Sequence, residues 1–275
     1  MSSATLITSR DNPLIQRLRK LGQDANAYRK LGEIWLEGDH LCSASLTRGL
    51  EVATAVIADS AWLGEGGQGA SHAPVARKLS ELARQARRVV VVPEGMWSQF
   101  TTLESPARIG FLLTQEALSA HSGELRPGLR TVVLDRLQDA GNVGSILRSA
   151  SALGVQQVVA LKGCAALWSQ KVLRAGMGAH FALNLVEQAS VASLDALGVP
   201  LIATSSHADF PLHEAPLPDP CAWVMGHEGQ GVSAEVMERC QHTVSIPQPG
   251  GEESLNVAAA AAVVLYESLR RRVAA

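Results

Sequence analysis

The most constraining feature of this chain is a regular alternation of short apolar segments with helix-like segments from Thr131 onwards. Such alternation predicts a parallel β-sheet with helices on both faces, because parallel neighbours need a crossover segment between them. The predicted strands are 131–135, 155–162, 200–206, 221–226 and 242–247. The predicted helices are 142–154, 169–176, 233–240 and a long one that begins at Ser254. One α/β domain is therefore expected in this half of the chain.

The first part of the chain contains a second, shorter set of apolar runs. The runs 52–59, 88–94 and 108–114 are predicted strands, with a predicted helix at 80–88 and a helix start at Asn12-Pro13. Residues 116–130 are polar, include Gly and Pro, and lack a sustained apolar period. The expected organisation is a small α/β domain at 1–115, a linker at 116–130 and the larger domain at 131–275.

Composition excludes several classes of protein. The 275 residues are 47% hydrophobic and 18% charged, so a core can be buried and the chain is not disordered. No run approaches the roughly 18 apolar residues of a membrane span, and the first residues lack the pattern of a secretory signal. The four cysteines are scattered, with no metal-ligand spacing. A cytoplasmic protein with reduced thiols, no membrane association and no bound metal is expected.

The local clusters of basic residues favour phosphate binding, although the net charge of the chain does not. The net charge is −2, which is unusual for a nucleic-acid binder. Segment 10–30, however, carries six basic and two acidic side chains, a local charge of +4. A second basic cluster consists of Arg84, Arg87 and Arg88. Each run fits either a solvated helix face or a surface that contacts phosphates.

Three polar loops follow predicted strands of the larger domain, where ligands bind in parallel sheets. The first carries Asn142 and Arg148, and Arg148 lies about 200° around the helix from the apolar Ile146. The second, 226–231, has three glycines in six residues around Glu228. Each feature alone has an ordinary explanation, since Asn142 or Glu228 can cap a helix and Arg148 can simply be solvated.

The third loop, 248–256, includes the predicted start at Ser254 of the long helix, and this helix is apolar around its whole circumference. Leu255, Leu265 and Leu269 fall on one side, and Val257 and Val264 on the other. A helix of this kind is predicted to be buried on both sides. Its alanines permit close backbone contact.

In this order, the three loops resemble the motifs of the SpoU (TrmH-like) family of S-adenosylmethionine-dependent RNA ribose 2′-O-methyltransferases, in the SPOUT superfamily. The matching segments are DAGNVGSILRSASALGV (139–155), VMGHEGQGVS (224–233) and IPQPGGEESLNVAAAAAVVLYE (246–267). ITSRDNPLIQRLRKL (7–21) and EGDHL (37–41) more weakly resemble the family's N-terminal RNA-binding extension. The chain departs from the common family residues at Ala140, His227, Gln248, Pro249 and Ala258.

The resemblance implies a fold, a cofactor and roles for particular residues. The implied fold has a deep trefoil knot in the domain 131–275, an RNA-binding domain at 1–115, and a homodimer that forms through the knot region. The implied cofactor is S-adenosylmethionine. Its implied contacts are Gly226, Ile246 and Leu255, and the implied active-site residues are Asn142, Arg148, Glu228, Ser254 and Asn256.

The implied activity is methylation of a ribose 2′-hydroxyl in RNA. We expect Arg148 to anchor a phosphate or hydroxyl rather than to act as a base, because a guanidinium accepts protons poorly. Ribosomal RNA is the expected substrate. Transfer RNA, a base-methylating SPOUT activity and a catalytically silent RNA-binding protein remain alternatives. A Rossmann dinucleotide enzyme is excluded, because no G-x-G-x-x-G follows an early strand.

Overall fold

The computed structural model describes residues 4–64, 74–118 apart from 102, 104 and 106, 123–250 apart from 206, 207 and 209, and 254–274. The chain divides into two compact units. The first comprises Met1–Ser119 with Trp168–Arg174, and the second comprises Ala120–Leu167 with Ala175–Ala275.

Within the described residues from 4 to 118, the first unit forms a five-stranded mixed sheet with four α-helices, in the strand order β1-β4-β3-β5-β2. Its strands are β1 (Thr5–Leu6), β2 (Glu33–Glu37), β3 (Thr54–Ala58), β4 (Arg88–Val92) and β5 (Ile109–Thr114). Its helices are α1 (Pro13–Gln23), α2 (Ala27–Leu31), α3 (Asp39–Thr47) and α4 (Pro74–Ala83). Strand β4 is parallel to β1 and β3, whereas β5 is antiparallel to β2 and β3.

Two helix predictions in this unit have different outcomes. The start of α1 is confirmed, because the Asn12 side chain accepts a hydrogen bond from the Leu14 N–H and Pro13 is the first helical residue. The helix predicted at 80–88 is misplaced, because α4 ends at Ala83 and Arg88 opens β4. The buried residues Ala76, Leu79 and Ala83 recur at helical spacing, so the packed face lies earlier in the sequence than predicted.

The second unit is a seven-stranded sheet in the order β10-β12-β9-β11-β6-β7-β8, and every pairing is parallel. Its strands are β6 (Thr131–Leu134), β7 (Gln157–Leu161), β8 (Asn184–Ala189), β9 (Leu201–Thr204), β10 (Phe210–Pro211), β11 (Ala222–Met225) and β12 (His242–Ser245). Its helices are α5 (Ala140–Ala152), α7 (Ala234–Met237) and α8 (Val257–Ala274), whereas α6 (Gln170–Gly176) groups with the first unit as far as Arg174. The predicted parallel α/β sheet is confirmed.

The order of the strands determines where a ligand crevice can form. The chain runs from β6 through β7 to β8 at one edge, and β9 then begins the other half of the sheet. Every residue of β6, β7 and β11 is buried, so both faces of the sheet are covered there. The loops after β6 and β11 leave neighbouring strands at the point where the order reverses, which is the usual crevice of such sheets. The implied knot stays a prediction.

Two helices of this unit begin at different residues from those predicted. Helix α5 is capped by Asp139, whose Oδ1 accepts from the Asn142 N–H at 2.7 Å, so Asn142 is not the cap. Helix α8 begins at Val257 rather than at Ser254. The Asn256 Oδ1 accepts from the backbone N–H groups of the first turn of α8, so Asn256 caps it. Each helix therefore begins at a polar capping side chain, which is Asp139 for α5 and Asn256 for α8.

Helix α8 is buried on one side only within this chain, so the prediction of burial on both sides is wrong for the isolated chain. Ala261, Val264 and Leu265 are buried, whereas Val263 is 41% and Tyr266 59% exposed. The exposed side of α8 therefore presents apolar side chains to its surroundings.

Among the described residues, no helix combines the length and apolar character needed to cross a membrane.

Candidate functional site

A cavity of about 610 Å³ opens beside the carboxyl end of β11. It is lined by the glycine-rich loop 226–232, by Ile246 and Gln248 after β12, and by the segment 254–257. Its volume falls in the range of about 300–1,000 Å³ that is typical of small-molecule sites. The second and third polar loops of the sequence therefore face one space.

The carboxylate of Glu228 joins this cavity to the loop after β6. Its Oε1 accepts hydrogen bonds from the Asp139 N–H at 3.0 Å and from the Asn142 Nδ2 at 3.3 Å. Its Oε2 lies 3.4 Å from the Gln138 N–H, which donates to it. Burial alone would raise the pKa of the Glu228 carboxyl, but these donors and its own backbone N–H outweigh it and lower the pKa. Glu228 is thus an ionised acceptor at neutral pH.

Asn142 connects Glu228 with the third loop. A carboxylate only accepts, so the Asn142 Nδ2 must face Glu228 and its Oδ1 must face away. That Oδ1 accepts from the Asn256 Nδ2 at 3.0 Å, and Asn256 in turn caps α8. One hydrogen-bonded chain, Glu228–Asn142–Asn256, therefore links all three loops.

Six of the eight residues that the resemblance singles out line the cavity. These six are Gly226, Glu228, Ile246, Ser254, Leu255 and Asn256. Leu255 is 41% exposed, which places an apolar side chain at the open cavity rather than in the core. Asn142 reaches the site through Glu228 and Asn256.

Arg148 does not join this group. It is exposed on α5, and it is not among the residues that line the cavity. Within the described part of the chain it has no hydrogen bond or ion pair. The structure therefore separates Arg148 from the other seven residues.

Glycine at 226 is required by the close approach of its own loop. A Cβ there would lie 2.2 Å from the carbonyl carbon of Gly231 and from the nitrogen of Val232. His227 and Gly231 exchange two backbone hydrogen bonds, and the His227 Nδ1 accepts from the N–H groups of Gly229 and Gln230. The loop thus folds back on itself as a tight turn against the cavity.

Sequence reasoning missed several residues that shape the site. The His227 ring closes the turn, and the Oε1 of Gln248 is buried with no hydrogen-bond partner among the described residues. Asp135 and Arg136 bind the glycine-rich loop from outside the cavity. Asp135 directly precedes the first polar loop in the sequence, but only its hydrogen bonds in the folded chain distinguish it as a residue that shapes the site.

We expect Glu228→Gln to lower stability at neutral pH and to matter less in acid. The folded-state pKa of Glu228 lies below its ordinary value of 4.5, so its stabilising contribution is present above 4.5 and is lost as pH falls through the folded value. Because the carboxylate is exposed, the difference at pH 7 should be about 1 kcal/mol or less. Urea unfolding of both proteins at about pH 7 and pH 3 measures it. A difference that stays constant with pH would contradict the assigned hydrogen bonds.

Comparison with known proteins gives a consistent relationship. The profile of the SpoU rRNA Methylase family matches residues 130–266. An "Uncharacterized tRNA/rRNA methyltransferase" from Synechocystis is 34% identical over 290 residues, covering 100% of this chain and 97% of that protein. A 23S rRNA (uridine(2479)-2′-O)-methyltransferase from Streptomyces viridochromogenes is 29% identical, covering 98% and 94%.

A solved structure extends the relationship to the fold. The SpoU methyltransferase AviRb from Streptomyces viridochromogenes, in complex with the cofactor AdoMet, superposes with a TM-score of 0.80 at 26% identity. The match covers 95% of this chain and 98% of that one. On the sequence match, the full-length relatives and the shared fold, this chain belongs to the SpoU rRNA methylase family.

Proposed function

We propose that this chain methylates a ribose 2′-hydroxyl of RNA, with S-adenosylmethionine as methyl donor and ribosomal RNA as substrate. The observation that carries the proposal is the Glu228–Asn142–Asn256 chain, which joins three loops at one cavity. Relatives over the full length are named as methyltransferases of ribosomal or transfer RNA, and one is a 23S rRNA 2′-O-methyltransferase. These names favour ribosomal RNA over the alternatives.

The cavity fits S-adenosylmethionine in size and in chemistry. Leu255 and Ile246 offer apolar walls to an adenine ring, and the glycine-rich loop offers backbone groups without intervening side chains. Gln248 lines the same cavity, and its buried Oε1, which has no hydrogen-bond partner among the described residues, is available to accept from a ligand. Gly226, Ile246 and Leu255 are therefore the proposed cofactor contacts.

The reaction depends more on how the protein orients the ribose than on a protein group that takes up the proton. When bound, S-adenosylmethionine would supply a methyl group on a positively charged sulfur, and its transfer to the 2′-hydroxyl oxygen would leave S-adenosylhomocysteine and release the hydroxyl proton. Glu228 is ionised and already accepts three hydrogen bonds, which suits it to hold Asn142 rather than to take the proton. Asn256 and Ser254 at the start of α8 would orient the ribose. Proton removal falls to an RNA phosphate or water.

In our proposal, the Arg148 of a second copy of the chain completes this site. It is exposed and lies away from its own cavity, yet a fixed cation suits an RNA phosphate or the 2′-hydroxyl. A homodimer that turns α5 of one subunit towards the cavity of the other would supply it. Arg148 then acts as an anchor, because the guanidinium stays protonated.

An apolar surface beside the cavity supports the homodimer. A depression of about 410 Å³ is lined by Leu212, Pro247, Val263 and Tyr266, and it shares Ile246 with the cofactor cavity. Val263 and Tyr266 are two of the exposed apolar residues of α8. A second copy that covers this surface would bury them and give α8 the two-sided burial expected from its sequence.

The first unit is the proposed RNA-binding domain. Arg17 and Arg19 lie on α1, where Arg17 pairs with Glu33 and the Arg19 guanidinium donates to Gln99 Oε1 at 2.8 Å. These contacts fix the side chains of Arg17 and Arg19 on α1, and neither arginine is deeply buried. The free state of all four cysteines is compatible with the proposed cytoplasmic location.

Charge reversal at Arg17 and Arg19 should weaken RNA binding without preventing cofactor binding. Loss of two phosphate contacts should reduce the slope of log Kd against log salt by about 2. Filter binding to ribosomal RNA fragments across a salt series measures this slope. The milder Arg17→Gln with Arg19→Gln should show the same direction, since it avoids placing a carboxylate against Glu33.

The matched control reverses two cations outside α1 in the same unit. Arg48 follows α3 and Arg77 lies on α4, and both are exposed. If their reversal weakens RNA binding equally, the effect reflects overall charge and α1 is not the RNA-binding element.

The proposed activity is tested by mapping 2′-O-methylation in a strain that lacks this protein. One ribose in ribosomal RNA should lose its methyl group and its resistance to alkaline cleavage, and the wild-type gene should restore both. Purified protein should methylate the same position with labelled S-adenosylmethionine. A lost methyl group on a base, or on transfer RNA alone, would favour the corresponding alternative substrate. No loss in any RNA would indicate a silent RNA-binding protein.

A further inference from the structure

The backbone of Arg136, the second residue after β6, is in an unusual conformation. Its φ is 58°, in the left-handed region that residues with a Cβ rarely adopt. Glycine adopts this region at little cost and would suffice if only a turn were needed. An arginine here implies that its side chain makes contacts that the turn itself does not require.

The guanidinium of Arg136 reaches the glycine-rich loop. Its Nη1 donates to Gln230 Oε1 at 2.9 Å, and its Nη2 lies 3.4 Å from the carbonyl oxygen of Gly231. Its Nε donates to Asp135 Oδ1 at 3.2 Å. The planar fork therefore connects the end of β6 with a loop almost a hundred residues later in the chain.

Asp135 holds the next part of the same loop. Its side chain is only 2% exposed, and its Oδ2 accepts from the Ser233 N–H at 2.6 Å. Its backbone N–H donates to the Met225 carbonyl, which extends the pairing of β6 with β11 to the start of the loop. The carboxylate thus divides its two oxygens between Ser233 and Arg136.

Neither residue lines the cavity, but the segment they bind does. Gln230 and Gly231 contribute to the cavity wall, together with Val232. Asp135 fixes the far end of this segment and Arg136 fixes its near end. The geometry points to Asp135 and Arg136 as positioning residues that hold segment 230–233 in its cofactor-binding conformation. This inference rests on the proposed function, since it takes the cavity to be the S-adenosylmethionine site.

Arg136→Gly separates positioning from stability. The change removes the guanidinium and also relieves the left-handed backbone, so the thermal melting temperature should be nearly unchanged. The Kd for S-adenosylmethionine, measured by calorimetry, should become about 10-fold weaker or more, as expected for loss of charge-assisted hydrogen bonds. Amide exchange in 230–233 should be faster even without cofactor.

Gln188→Gly is the matched control. Gln188 has a φ of 55°, is exposed, and lies on β8 at the far edge of the same sheet. The same relief of the backbone should leave both the Kd and the amide exchange of 230–233 at wild-type values. If Gln188→Gly weakens the Kd as much as Arg136→Gly does, the inference fails.

Two further variants keep the inference testable if Arg136→Gly unfolds. Asp135→Asn keeps an acceptor for Ser233 but turns a donor towards Arg136, so it should release the guanidinium and weaken the Kd. Arg136→Lys keeps the charge without the fork, so its Kd should fall between those of wild type and Asp135→Asn. The Asp135 and Arg136 variants should all raise the KM for S-adenosylmethionine and leave kcat at saturation close to wild type, whereas Gln188→Gly should change neither.

The outcomes distinguish the inference from the proposed function. If wild-type protein binds S-adenosylmethionine and the Asp135 and Arg136 variants bind it equally well, the inference alone is overturned. Wild-type protein that does not bind S-adenosylmethionine would overturn the proposed function, and the inference with it.

Discussion

Arg148→Ala should lower kcat for methyl transfer by about 100- to 1,000-fold, the usual effect of removing one preorganised group that acts in the transition state. The Kd for S-adenosylmethionine should change by less than about twofold, because the proposed contact of Arg148 is with the RNA and not with the cofactor. Single-turnover transfer of a labelled methyl group and calorimetry measure the two quantities. Arg239→Ala is a suitable control, since Arg239 pairs with Asp195 and also lies off the cavity.

Mixing two inactive variants tests which subunit Arg148 serves. Arg148→Ala leaves the cavity intact, and Asn256→Ala leaves Arg148 intact while breaking the link between Asn142 and α8. If Arg148 acts on the partner's cavity, each mixed dimer has one complete site, and a random equal mixture should regain about a quarter of wild-type activity. If Arg148 acts on its own cavity, no mixed dimer has a complete site. An inactive mixture that contains mixed dimers would therefore contradict the proposal.

The parallel sheet and the position of its site could be predicted because they depend on local patterns. Strands β6, β7 and β11 are apolar apart from the first residues of β6 and β7, which is the pattern of strands buried on both faces. Once such strands lie parallel, their carboxyl ends share one edge, and the observed pairing of β11 with β6 brings the polar loops after these two strands close together. The link from Glu228 to Asn142 follows from that geometry.

Other features could not be predicted because they depend on contacts between distant parts of the chain. Strand β8 has buried residues only in its first half and carries the left-handed Gln188, so it lacks a clear strand pattern. The role of Arg136 appears only from its φ and its reach to Gly231. The apolar circumference of α8 indicates burial, but it does not indicate whether the covering surface belongs to the same chain or to a second one.

Gly226→Ala should weaken binding of S-adenosylmethionine by about 100-fold or more, the scale of two or more lost hydrogen bonds. The added Cβ would lie 2.2 Å from the Val232 nitrogen and 2.6 Å from the Gly231 oxygen, and these are backbone atoms that a rotamer change cannot move. The loop would have to open, which breaks the backbone pair between His227 and Gly231. Calorimetric titration with S-adenosylmethionine measures the loss, and circular dichroism checks that the sheet remains folded.

Gly229→Ala makes the same chemical change three residues later in the same loop. Among the described residues, its Cβ would meet only the ring of His227, at the ordinary contact distance of 3.9 Å. Because helix and strand propensities hardly matter in this turn, the two variants differ mainly in whether the loop can stay closed. Gly229→Ala should therefore bind S-adenosylmethionine within about threefold of wild type. Equal affinities for the two variants would mean that closure of the loop against Gly226 does not shape the cofactor site, and that the cavity is held by β12 and the start of α8 instead.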